Sequence, residues 1–186
     1  MAKKSGFEND MVIAAVRTSE ELLLAATSCV KIVFHLSPDI ITLEEDIKVL
    51  HNNGKKLFIH LDLANGIGRD RSGIQYVKML GVDGIISTRT SIVKYARELG
   101  IFAVQRFFIV DSQSIDTAIE TIKASKAQMI EIMPGTIIKV ITQLRDKVDI
   151  PIIAGGLIET EKEAAEILKS GAFAVSTGKE KLWGKK

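Results

Sequence analysis

The sequence has little of the chemistry that metal sites, disulfide frameworks and membrane spans require. It contains one cysteine, Cys29, and three histidines among 186 residues, so it can form no internal disulfide and shows no metal-ligand spacing. No stretch approaches the roughly 18 uninterrupted apolar residues of a transmembrane helix. These absences predict a cytoplasmic protein without a metal site, in which Cys29 is a buried, inert thiol within a helix.

Charge and composition set the broad class of protein. The 25 Lys and Arg residues against 23 Asp and Glu residues give a formal net charge of +2, which is too small to imply a polyanionic partner by itself. With 46% hydrophobic residues, the chain is long enough to bury the core of one domain. Residues 1–10 are polar and aperiodic and lack the apolar region of a signal peptide, which predicts a disordered leader before a single domain over 11–186.

Apolar, β-rich runs alternate with helical patterns along the chain. Eight strands are each followed by a helix, the last a short one over 179–183, and strict alternation with short connections implies a parallel sheet. Eight units favour closure, because closure removes both sheet edges. The sequence therefore predicts an α/β fold, a compact (β/α)8 TIM-type barrel. Its parallel strands are predicted at 12–15, 31–35, 56–62, 84–87, 101–106, 128–132, 151–153 and 172–175.

Short sequence motifs predict the starts of three helices in this barrel. Thr42 with Glu45, and Thr160 with Glu163, have the spacing of capping boxes. Pro134 suits the first turn of the sixth helix, because a backbone N–H is not needed there.

Two strand-ending turns late in the chain are rich in glycine and hydroxyl residues. The residues are Gly155 and Gly156 after strand seven, and Ser176, Thr177, Gly178 and Lys179 after strand eight. In TIM-type barrels the loops after these two strands form a recurrent phosphate site, because glycine permits close approach while amides and hydroxyls bind an anion. We predict that all six bind phosphate, although either turn alone could be only a tight turn or a helix cap.

A second set of polar side chains falls at the predicted C-terminal ends of the strands, where such barrels carry their sites. Strand parity turns His60 and Asp62, and separately Glu131, away from their apolar neighbours and towards the barrel interior. Carboxylates there would accept hydrogen bonds from hydroxyls, so a small phosphorylated polyol would satisfy both ends of the site. The residues predicted to bind the polyol end are Arg17, His35, Asp62, Arg106 and Glu131.

These assignments have structural alternatives. Arg17 could be a solvated residue at a helix start, and Arg106 could pair structurally with Glu131 or Asp62. His60 could be a satisfied core histidine. The same carboxylates could instead serve as a general base in an isomerase or lyase of a phosphorylated metabolite. However, no strand interior offers a lysine for a Schiff base, and no base with an orienting partner is evident, so we assign no catalytic residue.

Several runs resemble one known family. They cover residues 55–63, 83–89, 105–109, 131–135 and 151–158, and the resemblance to the glycerol-3-phosphate-responsive antiterminators extends over 11–183. It implies a non-catalytic, cofactor-free barrel that senses glycerol 3-phosphate and acts on the leader of a messenger RNA, so that glycerol genes escape early termination. The implied partners are glycerol 3-phosphate and leader mRNA, with no membrane and with a homo-oligomer left open.

RNA binding does not follow from the residues alone. No common RNA-binding motif is present, and local basic groups are the only candidates for contact. They are Arg89, Lys94 and Arg97 on the fourth helix, and Lys179, Lys181, Lys185 and Lys186 beside Trp183. All of these could simply be solvated faces, and a protein-interaction scaffold without any ligand remains a third alternative.

Overall fold

The computed structural model describes residues 12–184 and shows a closed barrel of eight parallel strands in sequence order, in which β8 pairs with β1. The strands are Val12–Val16 (β1), Ile32–His35 (β2), Lys56–His60 (β3), Gly84–Ser87 (β4), Phe102–Phe108 (β5), Met129–Met133 (β6), Ile152–Gly155 (β7) and Ala174–Thr177 (β8). The predicted fold class is confirmed. The predicted leader at 1–10 lies outside the described residues.

Seven α-helices in this part of the chain cover the outside of the barrel. They are Ser19–Thr27 (α1), Leu43–Asn52 (α2), Arg71–Leu80 (α3), Thr90–Glu98 (α4), Ser112–Ser125 (α5), Ile138–Arg145 (α6) and Glu161–Lys169 (α7). The predicted eighth helix is a single 3-10 turn, Glu180–Leu182, and a similar turn, Leu61–Leu63, replaces the predicted end of strand three. Among residues 12–184 no helix is long and apolar enough to span a membrane.

Alternation along the strands divides the core into two regions. One side of each strand packs against the helices, as Val33 and Ile85 do. The other side fills the barrel, where such residues stack in layers contributed by alternate strands. A lower layer from odd-numbered strands is apolar and consists of Ile13, Phe58, Val104 and Ile153. The next two layers towards the C-terminal end contain the polar residues Glu131, Ser176, His60 and Arg106.

The two predicted capping boxes have different outcomes. The Thr160 capping box is confirmed, since its hydroxyl accepts from the Glu163 amide at 3.2 Å and the Glu163 carboxylate accepts from the Thr160 amide at 2.9 Å. The Thr42 box is wrong, because Thr42 already has helical backbone angles and makes no capping bond.

The predictions for Pro134, in the first turn of the sixth helix, and for Cys29, buried within a helix, are wrong. Pro134 follows a cis peptide bond after Met133 and precedes α6, which begins only at Ile138. Cys29 is exposed, because α1 ends at Thr27 and the extended backbone of Ser28 carries the chain out of the helix.

The two threonines offer a test of how much the capping box contributes. Replacing Thr160 with Ala should lower the free energy of unfolding by about 1 kcal/mol, because it removes the acceptor for an N-terminal amide of α7. The matched change Thr42→Ala should cost less, since that hydroxyl caps no amide. Urea unfolding of both variants measures the difference, and equal losses would contradict the assignment.

Candidate functional site

A buried network of charged and hydroxyl groups lies inside the C-terminal end of the barrel. Arg106 on β5 is directly beside Glu131 on β6 in the strand register, and its Nε donates to Glu131 Oε2 at 2.6 Å. The hydroxyl of Ser176, on β8, donates to the other oxygen, Oε1, at 2.5 Å. All three residues are at least 94% buried, so both carboxylate oxygens are held by donors in a region that excludes bulk water.

Glycine at position 155 is required by this network. A Cβ on Gly155 would lie 2.5 Å from Glu131 Oε1 and 2.6 Å from Ser176 Oγ, well inside van der Waals contact. The loop after β6 packs against the same point, since the Gly135 amide donates to the Gly155 carbonyl at 2.6 Å. The absence of a side chain at Gly155 therefore lets the ends of β6, β7 and β8 approach one another.

A cavity of about 320 Å³ opens above this network at the C-terminal ends of the strands. Eight of the eleven predicted ligand residues line it: Arg17, Arg106, Glu131, Gly156, Ser176, Thr177, Gly178 and Lys179. Gly155 lies next to the cavity, against Glu131 and Ser176. The structure thus brings the predicted phosphate turns and most of the predicted polyol end together.

The loops after β7 and β8 contribute residues with unpaired backbone amides to the cavity lining. Gly156 and Leu157 both have positive φ, +77° and +61°, and such a conformation in a leucine is uncommon and costly. Within residues 12–184, the amides of Gly156, Leu157 and Gly178 donate to no protein acceptor. All three residues line the cavity, where their N–H groups can bind an anion.

Thr177 connects the two loops. Its hydroxyl donates to the Ile158 carbonyl at 2.8 Å and accepts from the Lys179 amide at 3.0 Å. Its carbonyl accepts from the indole of Trp183 at 2.8 Å. Because its hydroxyl is already used, Thr177 positions the loops, and a direct hydrogen bond from its side chain to a ligand would have to replace one of these.

Two cations stand at the rim of the cavity. Lys179 Nζ lies 2.9 Å from Glu159 Oε1, and both side chains are about half exposed. Arg17 is exposed and lines the cavity from the loop after β1, which is the strand next to β8. Both can add positive charge near an anion in the cavity, although Glu159 offsets part of the charge of Lys179.

Two predicted residues are not brought to the cavity. His35 shares the parity of Val33 and faces α2, where its Nε2 lies 3.6 Å from Asp46 Oδ2. Asp62 sits in the 3-10 turn after β3 and accepts hydrogen bonds from the Ser87 hydroxyl and from the Thr88 amide and hydroxyl, all within 2.8 Å. Strand parity places His35 on the helix-facing side together with Val33, and it does not extend to Asp62, which lies beyond the end of β3.

The bonds to Asp62 also set its ionisation. Burial alone would raise the pKa of Asp62, but hydrogen bonds from Thr88 and Ser87 outweigh it and leave the pKa below its ordinary value. The carboxylate therefore stays charged and fastens the turn after β3 to the end of β4.

His60 is a polar residue at this end of the barrel whose state differs from the satisfied core histidine considered above. It is 4% exposed, and neither ring nitrogen has a hydrogen-bond partner among the described residues. Burial, with the nearby charge of Arg106, lowers the pKa of His60 to about 4 in spite of Asp62. The ring is therefore neutral near pH 7. Three or more potential metal ligands do not cluster anywhere in residues 12–184.

The buried ion pair predicts a large effect of removing one partner. Arg106→Met should lower the free energy of unfolding by about 3–5 kcal/mol, because Glu131 would stay buried without its ion-pair partner. Arg71 and Glu98 provide a control, since they form a 2.6 Å ion pair with both side chains more than half exposed. Arg71→Met should cost under about 1 kcal/mol. Similar losses in urea unfolding of the two variants would contradict a stabilising role for the buried pair.

The low pKa of His60 predicts a defined pH dependence. Between its unfolded pKa of about 6.5 and its native pKa of about 4, the unfolded chain binds a proton that the native protein excludes. Protonation of His60 therefore leaves the free energy of unfolding unchanged above about pH 6.5. As the pH is lowered from 6.5 towards 4, it decreases the free energy of unfolding. His60→Gln should make the free energy of unfolding less dependent on pH in this range. Identical pH profiles for the variant and the wild type would refute this.

Comparison with known proteins identifies the family of the chain. The family model of the glycerol-3-phosphate responsive antiterminators matches residues 12–183. The chain is 38% identical over 173 residues to the uncharacterized protein YgcP of Escherichia coli (strain K12), which covers 92% of this chain and 91% of that protein.

Two solved structures are similar over nearly the whole chain. One is a glycerol uptake operon antiterminator regulatory protein from Listeria monocytogenes, with a TM-score of 0.91, 31% identity and coverage of 96% of this chain and 97% of that chain. The other is a glycerol uptake operon antiterminator-related protein from Thermotoga maritima, with a TM-score of 0.83, 36% identity and coverage of 92% and 96%.

Aldolases and isomerases are also structurally similar, but at identities such as 12% and 16%, which show the shared fold alone. The match over residues 12–183 is to a family of regulators. The chain therefore belongs to the glycerol-3-phosphate responsive antiterminator family.

Proposed function

We propose that this protein is a regulator that binds glycerol 3-phosphate in the cavity at the C-terminal end of the barrel and, in the bound state, acts on a leader mRNA to promote antitermination of glycerol genes. The observation that carries the proposal is the cavity itself, which places unpaired amides on one side of a buried Arg106–Glu131–Ser176 network. Family membership supports the same ligand.

The phosphate end of the ligand fits the loops after β7 and β8. The amides of Gly156, Leu157 and Gly178 would donate to phosphate oxygens, and charge-assisted bonds of this kind are stronger than neutral ones. Arg17 and Lys179 at the rim would add positive charge. A phosphate ester with close to two negative charges suits such a set of donors.

The hydroxyl end of the ligand fits the buried network. Within the described residues the Arg106 guanidinium makes one hydrogen bond, from Nε, so its terminal N–H groups remain available as donors. Each oxygen of Glu131 can accept more than the one bond it receives. Together they offer donors and acceptors to neighbouring hydroxyl groups.

A ligand changes the state of a protein only if it binds one state more tightly. The loop after β3 is already held to the loop after β2, since the Asn65 amide donates to the Pro38 carbonyl at 2.8 Å and the Asn65 carbonyl accepts from the Ile40 amide at 3.1 Å. The loops after β7 and β8, with their unpaired amides, are the segments that binding would order. We infer that ligand-dependent change is concentrated there.

The RNA-contacting surface is proposed on α4. Trp183 is 2% exposed and so cannot stack on a base, which removes the aromatic component of the C-terminal candidate, and Lys185 and Lys186 lie outside the described residues. Arg89, Lys94 and Arg97 are exposed along α4, where they can contact phosphates. A cytoplasmic location and a homo-oligomer remain predictions.

The proposal is tested by calorimetric titration with glycerol 3-phosphate, glycerol and inorganic phosphate. Binding of the ester should exceed that of both controls. Gly156→Asp should abolish it, because the new carboxylate would face the phosphate and its Cβ would lie 2.8 Å from Met133 Cε.

The matched control is Gly54→Asp, which introduces the same side chain at another positive-φ glycine with open space around it, at the far end of the barrel. It should bind the ester like the wild type. In the same preparations, glycerol 3-phosphate should raise the affinity for leader RNA in the wild type and in Gly54→Asp alone. Absence of ester binding by the wild type would refute the proposal, and turnover of triose phosphates would favour the isomerase or lyase alternative.

A further inference from the structure

His60 is a buried polar side chain for which the protein supplies no partner. Its Nδ1 and Nε2 are both unpaired within residues 12–184, although buried polar groups in native proteins are nearly always hydrogen-bonded. Asp62 Oδ2 lies 3.8 Å from Nε2, too far for a hydrogen bond. Arg106 directs its Nε to Glu131. The ring therefore retains an unused donor and an unused acceptor.

The barrel geometry places this ring at the level of the cavity. Ala15, His60, Arg106 and Gly155 each lie two residues beyond a member of the lower apolar layer, on β1, β3, β5 and β7. They therefore form the uppermost complete layer contributed by the odd-numbered strands. In a closed ring of eight strands, β3 is opposite β7, so His60 faces Gly155 across the barrel.

In this uppermost layer, the side opposite His60 and Arg106 contains few side-chain atoms. Ala15 contributes a methyl group and Gly155 contributes none, and the cavity lies beside them, between Ala15, Gly156, Glu131 and Ser176. Leu36 and Arg106, which neighbour His60 in the barrel, are part of the cavity wall. Contact between the ring and a ligand in the cavity therefore requires Leu36 or Arg106 to move aside.

We propose that His60 binds a hydroxyl group of the ligand at the end opposite the phosphate and so makes the site specific for a phosphorylated polyol over a phosphate ester that lacks hydroxyls. This inference rests on the function proposed above and extends it to a specificity-determining residue. A hydroxyl group both donates and accepts, so it can pair with either nitrogen of a neutral imidazole. The low pKa of His60, about 4, keeps the ring in that neutral form.

The consequence is selective loss of affinity. A site built to bind a hydroxyl discriminates strongly against an analogue without it, because its own polar group is then left unpaired. His60→Phe should weaken glycerol 3-phosphate binding about tenfold and leave propyl phosphate binding nearly unchanged. The preference of the wild type for the polyol ester should thus fall by the same factor of about ten. His60→Gln retains a donor and an acceptor and should keep part of the preference for the polyol ester. The control His51→Gln, in the last turn of α2, should keep the whole preference.

The experiment combines calorimetry of these variants with nitrogen NMR of the imidazole rings. The sequence contains three histidines, so the His60 signal is identified by its absence in His60→Gln. It should shift on addition of glycerol 3-phosphate and much less with propyl phosphate. An unshifted ring, or an unchanged affinity ratio in His60→Phe and His60→Gln, would overturn the inference while leaving ester binding by the wild type intact. Failure of the wild type to bind either ester would instead overturn the proposed function, and this inference with it.

Discussion

The buried bond between Arg106 and Glu131 is the interaction on which the C-terminal half of the barrel depends. A charged pair inside a barrel needs further hydrogen bonds to offset its desolvation, and Ser176 supplies one of them, to Glu131, from β8. The geometry in turn excludes a Cβ at Gly155. Four strand ends are thereby fixed around one carboxylate, and the cavity above them follows from the space that Gly155 and Ala15 leave.

The hydrogen bonds of Glu131 suit ligand binding by a regulator better than acid–base catalysis by an enzyme with this fold. Glu131 has both oxygens held by donors, which suits a group that accepts hydrogen bonds from a ligand. A general base must instead exchange protons with its substrate. In the proposed regulator, the amides of Gly156 and Gly178 would act by binding an anion, which needs no chemical step. These contacts are therefore consistent with a regulator that binds its ligand without turnover.

The sequence allowed the barrel and the position of the loops after β7 and β8 to be predicted, because both depend on local patterns. Strand and helix periodicity fixed the order of the elements, and glycine with hydroxyl residues after β7 and β8 marked the loops. Placement of His35 and Asp62 failed for physical reasons. His35 lies at a helix-facing position of β2, so its side chain lies beside Asp46 and outside the barrel interior. Asp62 lies in a 3-10 turn, which has no simple periodic signal in the sequence, and this turn places its carboxylate beside Thr88. The unpaired state of His60 depends on residues distant in sequence and could be found only in three dimensions.

The central claim is that one cavity binds both ends of glycerol 3-phosphate. A crystal structure of the protein grown with this ligand is the most direct measurement. The account predicts electron density for the phosphate within hydrogen-bonding distance of the Gly156 and Gly178 amides, with the glycerol carbons extending towards Arg106 and Glu131. Density for the ligand at any other face of the barrel, with this cavity empty, would contradict it.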